Sequence, residues 1–236
     1  MEEQVTVNMP ALGDKAPAFK AVTTTGEINF PDDYRGKWVV LFSHPADFTP
    51  VCTSEIATFA AMRDDFHELN TELIGLSIDS NNSHLAWVKE IQDNIRFGKY
   101  DGQPVDFPII ADIKAEVARK YGMVHPSMSD TKAVRAVFII DDEGYIRTIL
   151  YYPQTTGRNF DEIKRVIEAL QVTDRYGVST PADWQPGKDI LLGCPSELKG
   201  MNESMSKRAT TNARNGFSAW TKATNTPPES RPRNKR

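Results

Sequence analysis

The feature that most constrains the fold is a change of periodicity within residues 37–70. KWVVLFS (Lys37–Ser43) is a short, β-rich apolar run that reads as a buried strand. Polar and turn residues follow. Then Ile56, Phe59, Ala60, Met62, Phe66 and Leu69 recur at helical spacing through to Asn70. Thr49-Pro50 marks where that helix begins. Thr49 suits the N-cap, and Pro50 suits the first helical position, where its missing N–H costs nothing.

The alternation continues. ELIGLSID (Glu72–Asp79) reads as a second buried strand and Asn82–Asn94 as a helix, followed by an extended piece (Val105–Ile110) and a helix (Ile113–Tyr121). Ala133–Ile140 is predicted as a strand, DDEG (Asp141–Gly144) as a hairpin turn, and Tyr145–Tyr152 as the returning strand. A last helix covers about Phe160 to Leu170. This order predicts an α/β fold: a thioredoxin-like mixed sheet with helices on both faces. Residues 1–172 are expected to form that domain. Residues 173–236, Pro-rich and irregular from Thr180, are expected to form a C-terminal arm and dimerisation region.

Composition narrows the function classes. With 39% hydrophobic and 25% charged residues over 236 positions, the chain suits a globular protein with one real core. No run approaches the ~18 apolar residues of a membrane span. The start, MEEQVTVNMP, is acidic and lacks a basic-then-apolar signal pattern, so the cytoplasm is the expected compartment. The net charge is -4, but Gly200–Arg236 carries eight Lys/Arg against two Asp/Glu. The remaining body is therefore acidic, which argues against nucleic acid as the main partner. Most basic, polar tails like this one are solvated.

The chemistry concentrates in FSHPADFTPVCTSE (Phe42–Glu55). Cys52 falls in the first turn of the predicted helix, where unpaired backbone N–H groups and the positive end of the dipole favour a thiolate. Most free cysteines are small buried hydrophobes. Here, though, Thr49 lies one turn back and could orient a bound oxygen, while Pro45 and Pro50 stiffen the loop. This is a nucleophile's position. No second thiol follows at Cys-x-x-Cys spacing, so dithiol exchange within one motif is excluded.

Pro45, Thr49 and Cys52 match the Pro-x-x-x-Thr-x-x-Cys signature of the peroxiredoxins, thiol-dependent peroxidases. FSHPADFTPVC resembles their 1-Cys subgroup in particular, in which a histidine, here His44, precedes the signature proline. LSIDSNNSHLAW (Leu76–Trp87), TTGRNFDEI (Thr155–Ile163) and TPADW (Thr180–Trp184) are also similar to that subgroup, and the resemblance covers about residues 10–195. By resemblance, Arg135 is the active-site arginine and Arg158 its support. Independently, peroxide cleavage pushes negative charge onto the leaving oxygen, which a guanidinium stabilises with fixed donors. Arg135 shares its strand face with Val137 and Ile139, so a charge there needs a partner, and a Cys52 thiolate would serve. His44 could relay a proton or orient the peroxide, or could equally be a structural hydrogen-bonding group. His67, His84 and His125 have no metal-ligand spacing and read as structural. Some relatives carry a lipase-type Gly-x-Ser-x-Gly motif before the active loop. Lys37 stands in place of that serine, so a phospholipase built on it is unsupported.

The resemblance implies a thiol-specific peroxidase that reduces hydrogen peroxide and alkyl hydroperoxides through a cysteine sulfenic acid, with no metal or organic cofactor. It also implies an external thiol reductant (a thioredoxin-like protein or small thiol) and a homo-oligomer, either a dimer or a ring of dimers. The alternatives are a holdase chaperone or peroxide sensor, and, less well supported, a hydrolase pairing Cys52 with His44. In two-cysteine relatives a resolving cysteine stands where this chain has Thr180. Cys194, in LLGCPS, is the remaining candidate for that role.

Overall fold

The computed structural model describes residues 9–192 and the short strand Trp220–Thr221. The chain divides into two compact units, Met1–Phe160 and Asp161–Arg236.

The first unit is a mixed seven-stranded sheet in the order β2-β1-β5-β4-β3-β6-β7. β1 (Phe19–Thr23) and β2 (Gly26–Phe30) form an N-terminal hairpin. β3 (Trp38–Ser43), β4 (Thr71–Ser77) and β5 (Ile109–Ala111) run parallel. β6 (Arg135–Ile140) pairs antiparallel with β3 and with β7 (Ile146–Tyr152). Every residue of β3 is buried. Trp38, Val39, Val40, Leu41 and Phe42 form five consecutive buried apolar positions, each worth roughly 1.5–3 kcal/mol when fully buried. A strand of this kind must be covered on both sides.

It is. Neighbouring residues of β3 point to opposite faces. Leu41 joins Val39, Ile74, Leu76, Phe138 and, from α4 (Glu116–Lys120), Val117 and Ala118 in one core. Phe42 stacks at 4.3 Å on Phe59 of α1 (Pro50–Ala61) on the other side. Phe59 in turn meets Phe66 of α2 (Arg63–Glu68). The expected thioredoxin-like sheet with helices on both faces is the architecture found.

The elements differ from expectation in several places. The single helix expected to reach Asn70 breaks at Met62 (φ -102°, ψ 7°) into α1 and α2. Ala115 adopts a left-handed conformation (φ 53°), so α4 starts later than Ile113. α3 (Asn81–Asn94) begins where Ser80 caps the Ser83 amide.

In the second unit, α5 (Phe160–Tyr176) runs past Leu170 and stops at Gly177, which takes the left-handed φ of 62° that ends helices. The arm is not wholly irregular. β8 (Val178–Ser179), β9 (Ile190–Leu192) and β10 (Trp220–Thr221) form a small antiparallel sheet. Trp184 is buried, and its carbonyl accepts from Arg165 of α5. Among the described residues no helix is long and apolar enough to cross a membrane.

Candidate active site

The site is built where β3 ends. His44 continues the strand by donating its amide to Leu76, and the Ser43 hydroxyl, which donates to the Val134 carbonyl, accepts from the Ala136 amide. Across the loop, Asp47 donates its amide to Asp79, and Phe48 takes a left-handed φ of 55°. Thr49 is extended (φ -101°, ψ 147°), Pro50 is the first helical residue, and the Thr53 amide closes the first turn on the Thr49 carbonyl. Thr49 is therefore at the N-cap position, but its side chain does not cap. Its hydroxyl donates to the Ala46 carbonyl at 2.9 Å, so the oxygen can meet a ligand O–H only as an acceptor. Cys52, in that first turn, is completely buried, and Pro45 is buried beside the loop.

Arg135 reaches the sulfur from the neighbouring strand. Its Nη1 lies 3.4 Å from Cys52 Sγ and 2.7 Å from Glu55 Oε2, while Nε and Nη2 both donate to the Gln154 carbonyl. The buried partner that Arg135 required is thus Glu55 and a carbonyl, together with Cys52 rather than Cys52 alone. Arg158 does not contact Arg135. It grips both oxygens of Glu55, through Nε at 2.9 Å and Nη2 at 2.6 Å, and its Nη1 donates to the Ser43 and Ala136 carbonyls. The two arginines are joined through one carboxylate.

Charge balance follows from this geometry. Glu55, Arg135 and Arg158 are each 2–6% exposed, and two guanidiniums against one carboxylate leave an excess positive charge away from water. A negative charge beside Arg135 would balance it. Burial pushes the Glu55 carboxyl up, but Arg158 and then Arg135 outweigh burial and hold it below the usual range. A carboxyl depressed in the folded state stabilises fully above its unfolded value near 4.5, and that contribution is lost as pH falls through the folded value. Glu55→Ala would strand two buried cations, so it is expected to cost about 3–5 kcal/mol at pH 7. Urea midpoints at pH 7 and pH 3 check this: the gap between wild type and variant should shrink in acid, and a gap independent of pH would contradict it.

A second buried cluster adjoins the loop. Asp47 lies 3.0 Å from His44 Nε2 and 2.8 Å from His84 Nδ1, and it accepts the Ser83 hydroxyl. His84 comes from α3 and also reaches the Ile110 carbonyl, at 3.1 Å. Burial pushes Asp47 up, yet the hydrogen bonds from His44 and His84 prevail and leave its carboxyl well below the usual range. Burial drives the His44 ring the other way, towards its neutral form, despite Asp47. His44, Asp47 and His84 offer ligand atoms within 4.8 Å of one another, the one such group among the described residues that could hold a metal ion. Sequence spacing concealed it.

The remaining candidates are elsewhere. Cys194 lies outside the described residues. Lys37 pairs with Glu72 at the opposite end of β3 and lines a cavity of about 570 Å³ with Tyr34, Arg35 and Asp141, away from Cys52. Sequence reasoning missed Glu55, Asp47 and His84. Two of them were within reach: Glu55 is one turn after Cys52 on the same helix face, and Asp47 is three residues after His44.

Comparison with known proteins identifies the family. Residues 12–149 match the AhpC/TSA family, and residues 169–200 match the C-terminal domain of 1-Cys peroxiredoxin. A peroxiredoxin of Methanosarcina mazei is 59% identical over 199 residues, covering 84% of this chain and 91% of that one. One from Aquifex aeolicus is 57% identical over 180 residues, covering 76% and 78%. Among solved structures, the yeast mitochondrial 1-Cys peroxiredoxin, described for thiol resolution through glutathione and thioredoxin systems, superposes with a TM-score of 0.76 at 40% identity, covering 91% of this chain and all of that one. A mutant of Peroxiredoxin 6 from Arenicola marina gives 0.73 at 38% identity, covering 82% and 88%. The chain belongs to the AhpC/TSA family of peroxiredoxins, carries the C-terminal domain of their 1-Cys members, and is a thiol-dependent peroxidase.

Proposed function

We propose that Cys52 is the peroxidatic nucleophile and that the reaction runs through its sulfenic acid. The thiolate attacks one oxygen of the hydroperoxide. An S–O bond forms, the O–O bond breaks, sulfur is oxidised by two electrons, and the departing oxygen leaves as water or an alcohol after taking a proton. The observation that carries this reading is the 3.4 Å contact between Arg135 Nη1 and Cys52 Sγ inside a buried group with one positive charge in excess. Arg135 would stabilise both the sulfur anion and the charge developing on the leaving oxygen. Arg158 acts through Glu55 to keep Arg135 in place. Thr49 accepts the peroxide O–H, Pro45 shields the sulfur, and His44 assists. Complete burial of the sulfur favours hydrogen peroxide and small alkyl hydroperoxides over bulky ones. The test is peroxide consumption with a dithiol reductant, set against ester hydrolysis by the same sample. Hydrolysis without peroxide consumption would favour a Cys52–His44 hydrolase instead.

The reductant is proposed to be an external thiol, either a thioredoxin-like protein or a small thiol, in keeping with the yeast relative. Residues 173–236 are proposed as an arm that crosses to a second copy in a homodimer, alone or within a ring of dimers. A monomer in dilute light scattering would contradict this. Cys194 is treated as dispensable: Cys194→Ser is expected to keep peroxidase activity with a small-molecule thiol. Non-reducing gels after one equivalent of peroxide check that. A quantitative Cys52–Cys194 band, lost in the variant together with turnover, would make Cys194 the resolving thiol.

A further inference from the structure

Two imidazoles and a carboxylate converge behind the active loop. His44 and Asp47 come from the loop between β3 and α1, and His84 comes from the first turn of α3. Each of the three side chains is at most 1% exposed. His44 Nε2 lies 3.0 Å from Asp47 Oδ1, and His84 Nδ1 lies 3.0 and 2.8 Å from the two oxygens of the same carboxyl.

Two ring nitrogens and one carboxylate are a donor set that Zn2+ takes while keeping a fourth position for water. Bonds of about 2.0–2.2 Å on a tetrahedral ion hold neighbouring donors about 3.3 Å apart. Each nitrogen here stands 2.8–3.0 Å from an Asp47 oxygen, so the carboxylate has to draw back only slightly. The two ring nitrogens, within 4.8 Å of one another, would close onto the ion. Imidazole donors favour Zn2+ over the hard cations Mg2+ and Ca2+.

The surroundings suit ligation. The Ile110 carbonyl can only accept, so it takes the N–H of His84 at Nε2, 3.1 Å away, and turns Nδ1 to the cluster. A carbonyl behind the ring is a common support of a histidine–metal bond. His44 Nδ1 is buried without a hydrogen-bond partner. Asp47 is thus the one hydrogen-bond partner of the His44 ring among the described residues, and ligation through Nε2 breaks no other bond. The Ser83 hydroxyl fixes Asp47 Oδ2 at 2.8 Å. Asp79, which accepts the Asp47 amide at 2.9 Å, sets a second carboxylate against the loop, and the two together face the Arg158 charge that also reaches His44.

We propose that His44, Asp47 and His84 form a Zn2+ site that ties the active loop to α3. The ion takes no part in the oxidation of Cys52, and the inference stands independently of the reading of that step.

The experiment adds Zn2+, and Co2+ as its coloured stand-in, to the reduced, metal-stripped full-length protein. Wild type and Cys52→Ser should each bind one equivalent of Co2+, with visible d–d bands and no thiolate charge-transfer band, and Zn2+ should displace it. Zn2+ should also raise the thermal midpoint, since it binds the folded state. Asp47→Asn and His84→Gln should each weaken binding by about 10–100-fold or more, the loss seen even for residues that only support a ligand. His67→Gln, which removes a half-exposed imidazole beside Glu72, should leave affinity unchanged. Variants of a buried cluster can unfold, so wild type labelled with nitrogen-15 at its four histidines provides a second measurement. Zn2+ should shift the ring signals of two histidines and spare those assigned to His67 and His125 by His67→Gln and His125→Gln. No saturable Zn2+ binding, a thiolate band, shifts at His67 or His125, or full affinity in folded Asp47→Asn and His84→Gln would each overturn the proposal.

Discussion

Cys52→Ser is expected to abolish peroxide reduction while the protein remains folded. Serine matches cysteine closely in shape, so the fully buried pocket at the start of α1 still fills. What it lacks is acidity and sulfur chemistry. An alkoxide does not form there near neutral pH, and oxygen cannot be oxidised as sulfur can. The core that supports the site, with Phe42 stacked on Phe59 and Ile56 buried on the same helix, is untouched by the change. Stopped-flow peroxide consumption beside a thermal melt measures both halves of the expectation. Appreciable turnover by the variant would end the mechanism, because no other cysteine among the described residues could replace Cys52.

The second large effect is expected at Arg135. Arg135→Met keeps a long, flexible side chain and removes the guanidinium that bridges Cys52, Glu55 and the Gln154 carbonyl. Loss of a fixed donor at a developing anion costs roughly 2–4 kcal/mol, or about 10²–10³-fold in rate. Stability should fall less than in Glu55→Ala. Removing Arg135 leaves Glu55 and Arg158 as a neutral buried pair, whereas removing Glu55 leaves two cations facing no carboxylate. The rate of Cys52 oxidation, followed in a single turnover, checks the first statement, and urea midpoints check the second. A near wild-type rate would mean that the Arg135–Cys52 contact is not used.

What the sequence made legible, and what it hid, divide along physical lines. The β3–α1 join was readable because its signals are local. Five consecutive apolar residues need two covered faces, and Thr49-Pro50 fixes a helix start without reference to anything distant. Cys52 at the opening turn followed directly. The break at Met62 was not readable, because Phe66 and Leu69 keep helical spacing across it and only the backbone turns. The N-terminal hairpin was missed because FKAVT and GEINF are short and half exposed, and pairing with each other and with β5 is what makes them strands.

The polar network lay further beyond a local reading. Apolar neighbours on its strand showed that Arg135 needs a partner, but Glu55 lies 80 residues away in sequence, and Arg158 lies 103 residues from Glu55. His84 is 37 residues from Asp47. Their common location is set by the parallel β3–β4 pairing and by β6 returning beside β3, which place the ends of three strands at one spot. Thr49 shows the converse. Its position was right, yet its hydroxyl turns to Ala46 instead of capping, a local competition that residue type alone does not decide.

The central claim, that Cys52 takes the oxygen from peroxide, is open to one direct measurement. The reduced protein is mixed with a single equivalent of hydrogen peroxide in the presence of a cyclic 1,3-diketone that captures sulfenic acids, and the modified residue is located by peptide mass spectrometry. The expected result is near-stoichiometric capture at Cys52, absent in Cys52→Ser and strongly slowed in Arg135→Met. Peroxide consumed with Cys52 unmodified, or capture confined to Cys194, would contradict it.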